Sequence, residues 1–238
     1  MDLENKVAFV TGGSKGIGYG VAEALSSLGV RVGITSRHKD EAEKAAKEIS
    51  SRGKGEVIGL EADVRSYESQ EEAIRQVTDK WGQLDILVAN AGVGHFGSIE
   101  ELTPEQWQQT IDTNLTGVFY SLKAAVHDLK KSKGYIFTIS SLAGTNFFAG
   151  GSAYNASKFG VTGFTQAAML DLRQHDIKVT TIMPGSVATH FNDHSPSEED
   201  AWKIQKEDIG ELVVDLLKMN QRALPSKIEI RPTKPPQK

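Results

Sequence analysis

The sequence predicts an α/β fold of Rossmann type, a doubly wound parallel sheet of about seven strands with helices on both faces. Short β-branched runs alternate with longer segments of helical period, which is typical of βαβ units. The runs VAFV, DILV and YIFTI are apolar throughout, as expected for strands covered on both faces. The 238 residues suit one well-buried domain spanning 1–238, since neither an internal repeat nor a linker divides them.

The strands and helices follow from these patterns in chain order. Strands are predicted at Lys6–Val10, Val30–Thr35, Glu56–Glu61, Leu84–Ala89, Gly134–Ile139, Lys178–Ile182 and Lys227–Arg231. Helices are predicted near 16–28, 39–52, 67–81, 104–131, 153–174 and 206–219.

Two segments lack either period. Residues 190–205 are polar, and we expect a mobile loop there, with room for a short helical turn, that closes over a substrate. Residues 232–238, rich in proline and lysine, are expected to be frayed.

The composition excludes several classes of function. A net charge of −4 does not favour nucleic acid or an anionic membrane surface as partner. The absence of cysteine excludes disulfides and thiolate chemistry, and no ligand spacing suggests a metal. The first residues are acidic and precede only a short apolar run, so neither a signal peptide nor a membrane span is predicted. We expect a cytoplasmic protein.

A glycine-rich turn follows the first predicted strand. The segment Thr11–Gly18 has glycines at 12, 16 and 18, with Ser14, Lys15 and Ile17 between them, and leads into a helix. Glycines let the backbone approach a pyrophosphate, whose charge the free N–H groups and the helix dipole stabilise. The spacing GxxxGxG differs from the commoner GxGxxG, and a plain strand-to-helix turn is the alternative.

The end of the second strand bears on the choice of dinucleotide. An acidic residue there suits the 2′-hydroxyl of NAD, and a basic one the 2′-phosphate of NADP. Here the strand ends in Ser36, Arg37, His38 and Lys39, with no acid before Asp40, and Lys15 could converge on the same phosphate. NADP(H) is therefore predicted, although each basic side chain alone is also explained as a solvated surface charge.

A tyrosine and a lysine lie one helical turn apart at Tyr154 and Lys158. The ammonium favours the phenolate and is expected to lower the pKa of the tyrosine, which suits acid–base catalysis. Ser141 ends a predicted strand, where ligands bind in an open α/β sheet, and its hydroxyl could hold a substrate oxygen. Without Ser141, an exposed helix edge would explain the pair equally well.

These motifs together resemble the short-chain dehydrogenase/reductase family in its compact single-domain branch. The likeness covers about residues 5 to 230 and is greatest to 3-oxoacyl-[acyl-carrier-protein] reductases and related NADP-dependent carbonyl reductases. It rests on ordered motifs: TGGSKGIG, ANAG at 89–92, Asn114 in DTNLTG, Ser141 in ISSLAG, Tyr154 to Lys158, and PGSVAT at 184–189.

The resemblance implies a catalytic role for four residues. Tyr154 would exchange the proton, Ser141 would orient the carbonyl, and Lys158 would bind the nicotinamide ribose and depress the tyrosine pKa. Asn114 would anchor a water that relays protons to Lys158. From the residues alone, Asn114 is equally explained as an amide inside a helix.

The resemblance also assigns cofactor contacts. Asp63 and Val64 would meet the adenine, Asn90 would support the central strand and ribose, and Thr189 would bind the carboxamide. Further contacts are implied along the same motifs: Ala91, Gly92, Pro184, Gly185 and Val187.

Two features depart from the family pattern. ANAG replaces the usual NNAG, which changes little. The chain ends in KIEIRPTKPPQK without the glycine that often packs in a tetramer. A homodimer or homotetramer is expected, with helices 104–131 and 153–174 as the interface.

The sequence is compatible with three functions. The first is an NADP(H)-dependent reductase of a ketone, aldehyde or 3-oxoacyl thioester, with Tyr154 as general acid and base. The second is a sugar or polyol dehydrogenase working oxidatively, and the third a non-catalytic dinucleotide sensor or scaffold. Aromatic side chains, among them Phe96, Phe147, Phe148, Phe191 and Trp202, either line the substrate pocket or simply pack.

Overall fold

The computed structural model describes residues 3–234, and its centre is one parallel sheet of seven strands. Their order across the sheet is β3-β2-β1-β4-β5-β6-β7, so the predicted doubly wound fold is confirmed. The strands are β1 Val7–Val10, β2 Arg31–Ser36, β3 Val57–Glu61, β4 Ile86–Ala89, β5 Tyr135–Ile139, β6 Lys178–Pro184 and β7 Lys227–Ile230. Predicted strand ends differ from these by two residues at most.

Within the described part of the chain, seven α-helices cover the two faces of the sheet. They are α1 Gly16–Ser27, α2 Lys39–Arg52, α3 Tyr67–Trp81, α4 Pro104–Ile111, α5 Gly117–Ser132, α6 Ser152–Leu172 and α7 Lys206–Lys218. One apolar core packs α1, α2 and α7 against the sheet, and a second packs α3, α5 and α6 against the other face. The continuous apolar strands are explained by this double cover.

The helix predicted over 104–131 is confirmed in its extent, but it is not a regular α-helix. The segment forms α4 and α5, joined by a π-helical turn at Asp112–Thr116 that contains Asn114. Thr103 begins α4 with a capping box shared with Gln106. A π-helical turn inserts one residue into the helical register, which a 3.6-residue periodicity does not reveal.

The predicted loop at 190–205 contains two short 3₁₀ turns, Phe191–Asp193 and Glu198–Asp200. A parallel bridge between Val187 and Ile204 closes the loop at its base. Asp200 is buried and accepts hydrogen bonds from His194 at 2.5 Å and from the Ser197 amide at 3.1 Å. Residues 235–238 of the tail lie outside the described residues.

The order of the strands locates the site. The chain reverses direction across the sheet between β1 and β4, and ligands of such sheets bind in the crevice at the carboxyl ends of the strands there. The segments that follow β1, β4, β5 and β6 therefore converge on one edge.

Gly59 in β3 offers a test of how closely the layers pack. A Cβ added there would lie 2.2 Å from the carbonyl carbon of Ala42 in α2, whereas one added at Gly163 in α6 would meet nothing within 4 Å. We expect Gly59→Ala to lower the free energy of unfolding by about 1–3 kcal/mol through overpacking. Gly163→Ala should raise it by about 0.5–1 kcal/mol, because alanine favours a helix interior.

Urea denaturation of the wild type and both variants measures the difference. Similar midpoints for the two variants would contradict the close approach of α2 to β3.

Candidate active site

The glycine-rich turn joins β1 to α1 and takes the conformation that its glycines allow. Gly12 and Gly16 have φ of 63° and 60°, the left-handed region that side chains rarely adopt. Gly18 lies beneath the turn, and a Cβ there would be 2.5 Å from the Gly12 carbonyl oxygen. Substitution at these three positions would displace the backbone amides that point into the crevice.

Asn90, at the exit of β4, holds this turn in place. Its side-chain amide donates to the carbonyl oxygens of Thr11 at 2.9 Å and Gly12 at 3.1 Å. In return the Thr11 hydroxyl accepts from the amides of Asn90 and Ala91. Sequence analysis missed Thr11, although it immediately precedes the first glycine of the motif.

The converging segments enclose one cleft with a volume of about 1040 Å³. It brings together most of the predicted site residues, whereas Gly18 and Asn114 lie behind its wall. The predicted residues that line it are Gly12, Ser14, Lys15, Gly16, Ile17, Ser36, Arg37, Asp63, Val64, Asn90, Ala91, Gly92, Ser141, Tyr154, Lys158, Pro184, Gly185, Val187 and Thr189.

The end of the cleft beside β2 carries the expected cations and one unexpected acid. Within residues 3–234, neither Lys15 nor Arg37 forms an ion pair. The Ser36 hydroxyl donates to the Glu41 carboxylate at 3.1 Å, and Glu41 borders the cleft. Glu41 was not predicted at the site, because an acid that pairs with the ribose is expected at the strand end and Glu41 lies in the first turn of α2.

Asp63 is already engaged by another side chain. Arg65 donates to both of its carboxylate oxygens, at distances of 2.6 to 3.0 Å. These hydrogen bonds hold the pKa of Asp63 below its usual range. Val64 beside it is buried and packs against Gly117 at the start of α5.

Tyr154 and Lys158 lie in the first two turns of α6, next to the exit of β5. The Lys158 ammonium is 5.6 Å from the centroid of the Tyr154 ring and donates to the Ile139 carbonyl at 2.9 Å. Ser141 caps the 3₁₀ turn Leu142–Gly144, its hydroxyl donates to the Pro184 carbonyl at 3.5 Å, and it lines the same cleft as Tyr154. The three predicted catalytic side chains therefore line one cleft.

Burial dominates the titration of this pair. Burial raises the pKa of Tyr154, and the neighbouring Ser141 opposes that rise without cancelling it. Burial also lowers the pKa of Lys158 to about 8. In the free protein the pKa of Tyr154 therefore lies above its usual range, and a lowering of it by Lys158 stays a prediction.

Asn114 ties the π-helical turn to the exit of β4 and to α6. It is fully buried, its Oδ1 accepts from the Val93 amide at 2.8 Å, and its Nδ2 donates to the Val93 carbonyl and the Ser157 hydroxyl. A Cβ on Gly92 would lie 3.3 Å from Asn114 Oδ1 and 3.8 Å from Lys158 Nζ. Asn114 Oδ1 and Lys158 Nζ therefore both lie close to Gly92.

No separate role was predicted for Asn155, although it lies in the motif that contains Tyr154. Its side-chain amide donates to the carbonyl oxygens of Ala143 at 2.8 Å and Asn146 at 2.7 Å. These bonds fasten the segment after β5 to the beginning of α6. Its position beside the tyrosine was the available signal.

The described residues were also compared with the requirements of a metal site and of a membrane span. No group of three or more metal-ligating side chains occurs among the described residues. Of the helices within 3–234, none is both long and apolar enough to cross a membrane.

The doubly wound sheet and the glycine-rich turn at its crevice define a dinucleotide-binding protein of Rossmann type. The family model for short chain dehydrogenase matches residues 6–200. The chain belongs to the short-chain dehydrogenase/reductase family of oxidoreductases.

Relatives and solved structures agree with this membership. The trans-4-hydroxycyclohexanecarboxylate dehydrogenase of Sinomonas cyclohexanicum is 37% identical over 192 residues, which cover 79% of this chain and 74% of the relative. The 3-oxoacyl-[acyl-carrier-protein] reductase of Vibrio cholerae is 36% identical, covering 79% and 76%. An alcohol dehydrogenase from Thermococcus sibiricus, crystallised with 5-hydroxy-NADP, superposes with a TM-score of 0.91 at 30% identity and covers 98% and 99%.

The lowered pKa of Lys158 predicts how stability depends on pH. A lysine with a folded-state pKa of about 8, below its usual 10.5, makes the folded protein bind fewer protons than the unfolded chain between those values. Stability should therefore rise with pH through this window. From about pH 7 to about pH 9.5, the free energy of unfolding should rise by about 2 kcal/mol more in the wild type than in Lys158→Met.

Denaturant titrations of both proteins without cofactor measure this difference. Parallel pH profiles would show that the ammonium is not desolvated as the structure indicates.

Proposed function

We propose that this protein transfers a hydride between NADP(H) and a carbonyl or alcohol substrate, with Tyr154 as general acid and base. The observation that carries the proposal is that Tyr154, Ser141 and Lys158 line the same cleft as the glycine turn, with the Lys158 ammonium 5.6 Å from the centroid of the Tyr154 ring. A phenol and a serine hydroxyl that face one cleft can hold a substrate oxygen and exchange a proton with it.

The residues present fit a dinucleotide phosphate. Gly12 and Gly16 leave room for a pyrophosphate against the backbone, and α1 begins at that point. Lys15 and Arg37 supply positive charge where the second strand ends, which favours a 2′-phosphate. When bound, NADP(H) supplies or accepts the hydride. The NADP-type ligand of the Thermococcus relative supports the same choice.

The protein's own groups then handle the proton. A tyrosine whose pKa is raised remains protonated at neutral pH, so Tyr154 is ready to donate to a carbonyl oxygen during reduction. Ser141 orients that oxygen. The Lys158 ammonium, held by the Ile139 carbonyl, lies close enough to the phenol to stabilise the phenolate that remains.

The substrate class is a ketone, an aldehyde or a 3-oxoacyl thioester. The names of the relatives, a hydroxycyclohexanecarboxylate dehydrogenase and a 3-oxoacyl-[acyl-carrier-protein] reductase, support substrates of this kind. Retention of Tyr154, Ser141 and Lys158 in one cleft supports catalysis over a sensor or scaffold role.

We further propose assembly as a homodimer or homotetramer through α5 and α6. Large apolar side chains on these helices are exposed, with Phe119 and Phe159 each 44% and Leu170 52% accessible. Exposed apolar patches of this kind favour association with another protein surface.

Removing the phenol should abolish turnover and spare cofactor binding. We expect Tyr154→Phe to lower kcat for NADPH-dependent ketone reduction by about 10²–10⁴-fold, because the proton donor is lost. The dissociation constant for NADPH, measured by fluorescence titration, should change little.

Tyr67→Phe in α3, which removes a hydroxyl remote from the cleft, is the matched control and should retain wild-type rates. Turnover by Tyr154→Phe at the rate of this control would overturn the assigned mechanism.

Charge beside the end of β2 should decide between the two cofactors. Arg37→Asp is expected to weaken NADPH binding at least about tenfold more than NADH binding, because a charge-assisted contact with the 2′-phosphate is lost. Glu41→Gln should act in the opposite direction, since its carboxylate would repel the same phosphate.

Lys39→Asp makes the same change of charge at the start of α2 and does not border the cleft, so it serves as the control. Equal losses for NADPH and NADH in Arg37→Asp would refute the assignment.

A further inference from the structure

Three phenylalanine rings cluster with Tyr154, the proposed proton donor. Phe96 contacts Tyr154, Phe148 and Phe191, with ring centroids 5.3, 6.0 and 6.3 Å apart, and Phe191 also contacts Tyr154 at 5.6 Å. The planes are inclined by 43° to 68°, so these are tilted and edge-to-face contacts. We refer to these four residues as the aromatic cluster.

Separate segments of the chain supply the rings. Phe96 follows β4, Phe148 follows β5, Tyr154 belongs to α6 and Phe191 follows β6. Glycines allow the close approach: a Cβ on Gly94 would lie 2.6 Å from the Phe191 ring. One on Gly151 would similarly lie 2.5 Å from the ring of Phe148.

Polar contacts fix the segment that carries Phe148. Asn155 donates to the carbonyl oxygen of Asn146, and its own Oδ1 accepts from the Phe148 amide at 3.4 Å. The tyrosine and this phenylalanine are thereby attached to the same turn of α6.

A second polar network fixes the segment that carries Phe191. The Asp200 carboxylate, a few residues beyond the ring, pairs with His194 and with Lys203, each at 2.5 Å. The ring's position therefore depends on an ion-paired loop anchored at its base by the bridge from Val187 to Ile204.

The rings are not core residues. Phe96, Phe148 and Phe191 remain 43%, 48% and 37% exposed, although each contacts another ring. Phe148, Phe191 and Tyr154 line the cleft itself. Aromatic surface left open beside a general acid is surface that a ligand can cover.

Two cations that border the cleft already have carboxylate partners. Lys203 pairs with Asp200, and Arg231 pairs with Glu229 at 3.0 Å. A substrate anion would have to compete with a carboxylate for either of them. The aromatic rings are therefore the surface of this wall that a neutral part of a substrate can cover.

We propose that the aromatic cluster selects cyclic substrates, in which the reacting carbonyl or alcohol belongs to or adjoins an alicyclic or aromatic ring. This inference rests on the proposed function and narrows its substrate class. A ring presents flat faces or axial C–H groups to inclined aromatic planes. It also loses less rotational freedom on binding than an acyl chain of equal carbon number.

The test compares 4-ethylcyclohexanone with 2-octanone, a linear ketone of equal carbon number, and with an acetoacetyl thioester, using NADPH. Because intrinsic reactivities differ, the readout is the change in the cyclic-to-linear ratio of kcat/KM when a ring is removed. Phe148→Leu and Phe191→Leu should each lower that ratio about threefold to tenfold, since leucine keeps an apolar side chain without the aromatic face.

Phe159→Leu is the matched control. Phe159 lies in α6 outside the cleft, is 44% exposed like the cluster rings, and within the described residues makes no ring contact. Its ratio should stay within about twofold of the wild type. NADPH dissociation constants of all variants should match, which confirms that the cofactor end is intact.

Either of two results would overturn this inference and leave the proposed function intact. One is an unchanged cyclic-to-linear ratio of kcat/KM in both cluster variants, and the other is a wild-type preference for the linear ketone or the thioester. Absence of turnover with every carbonyl, together with absence of NADPH binding, would instead refute the proposed function on which it rests.

Discussion

The buried ammonium of Lys158 is the constraint around which the site is arranged. The residue is only 5% exposed, and desolvation of a charge is costly unless a partner compensates for it. The Ile139 carbonyl, at the end of β5, supplies that partner at 2.9 Å. The lowered pKa of about 8 shows that the compensation is incomplete. The position of α6 against the carboxyl end of β5 is therefore fixed by the requirement to satisfy one cation.

The π-helical turn follows from the same requirement. Asn114 reaches both the Val93 backbone and the Ser157 hydroxyl, which lies one residue before the lysine. An uninterrupted α-helix over this segment would change the register of Asn114 relative to the residues after it by one position. The π-helical turn thus joins the exit of β4 to α6 next to the buried ammonium. The free-energy cost of this irregular turn is offset because the buried side-chain amide of Asn114 has all its hydrogen-bond partners.

How much could be predicted from the sequence depends on the range of the interactions involved. Runs such as VAFV and YIFTI predict buried parallel strands because burial on both faces is a local property of composition. Tyr154 and Lys158 are brought together by helical spacing alone. The raised pKa of Tyr154 is different, since it depends on how separate segments bury the ring. The contacts within the aromatic cluster are a further case, because Phe96 and Phe191 reach Tyr154 from segments distant in sequence.

The two ends of the cleft differ in the kind of interaction they offer. At the β2 end, Lys15 and Arg37 present charge to solvent, and electrostatic attraction there acts over several ångströms. At the other end, Lys203 and Arg231 are held in ion pairs and inclined rings present apolar surface, which acts only on contact. Tyr154 stands where the two regions meet, as a member of the aromatic cluster and as the proposed proton donor. Substitutions at the β2 end should therefore alter the choice of cofactor, and substitutions in the aromatic cluster should alter the choice of substrate. The Tyr154 hydroxyl is the group common to both ends.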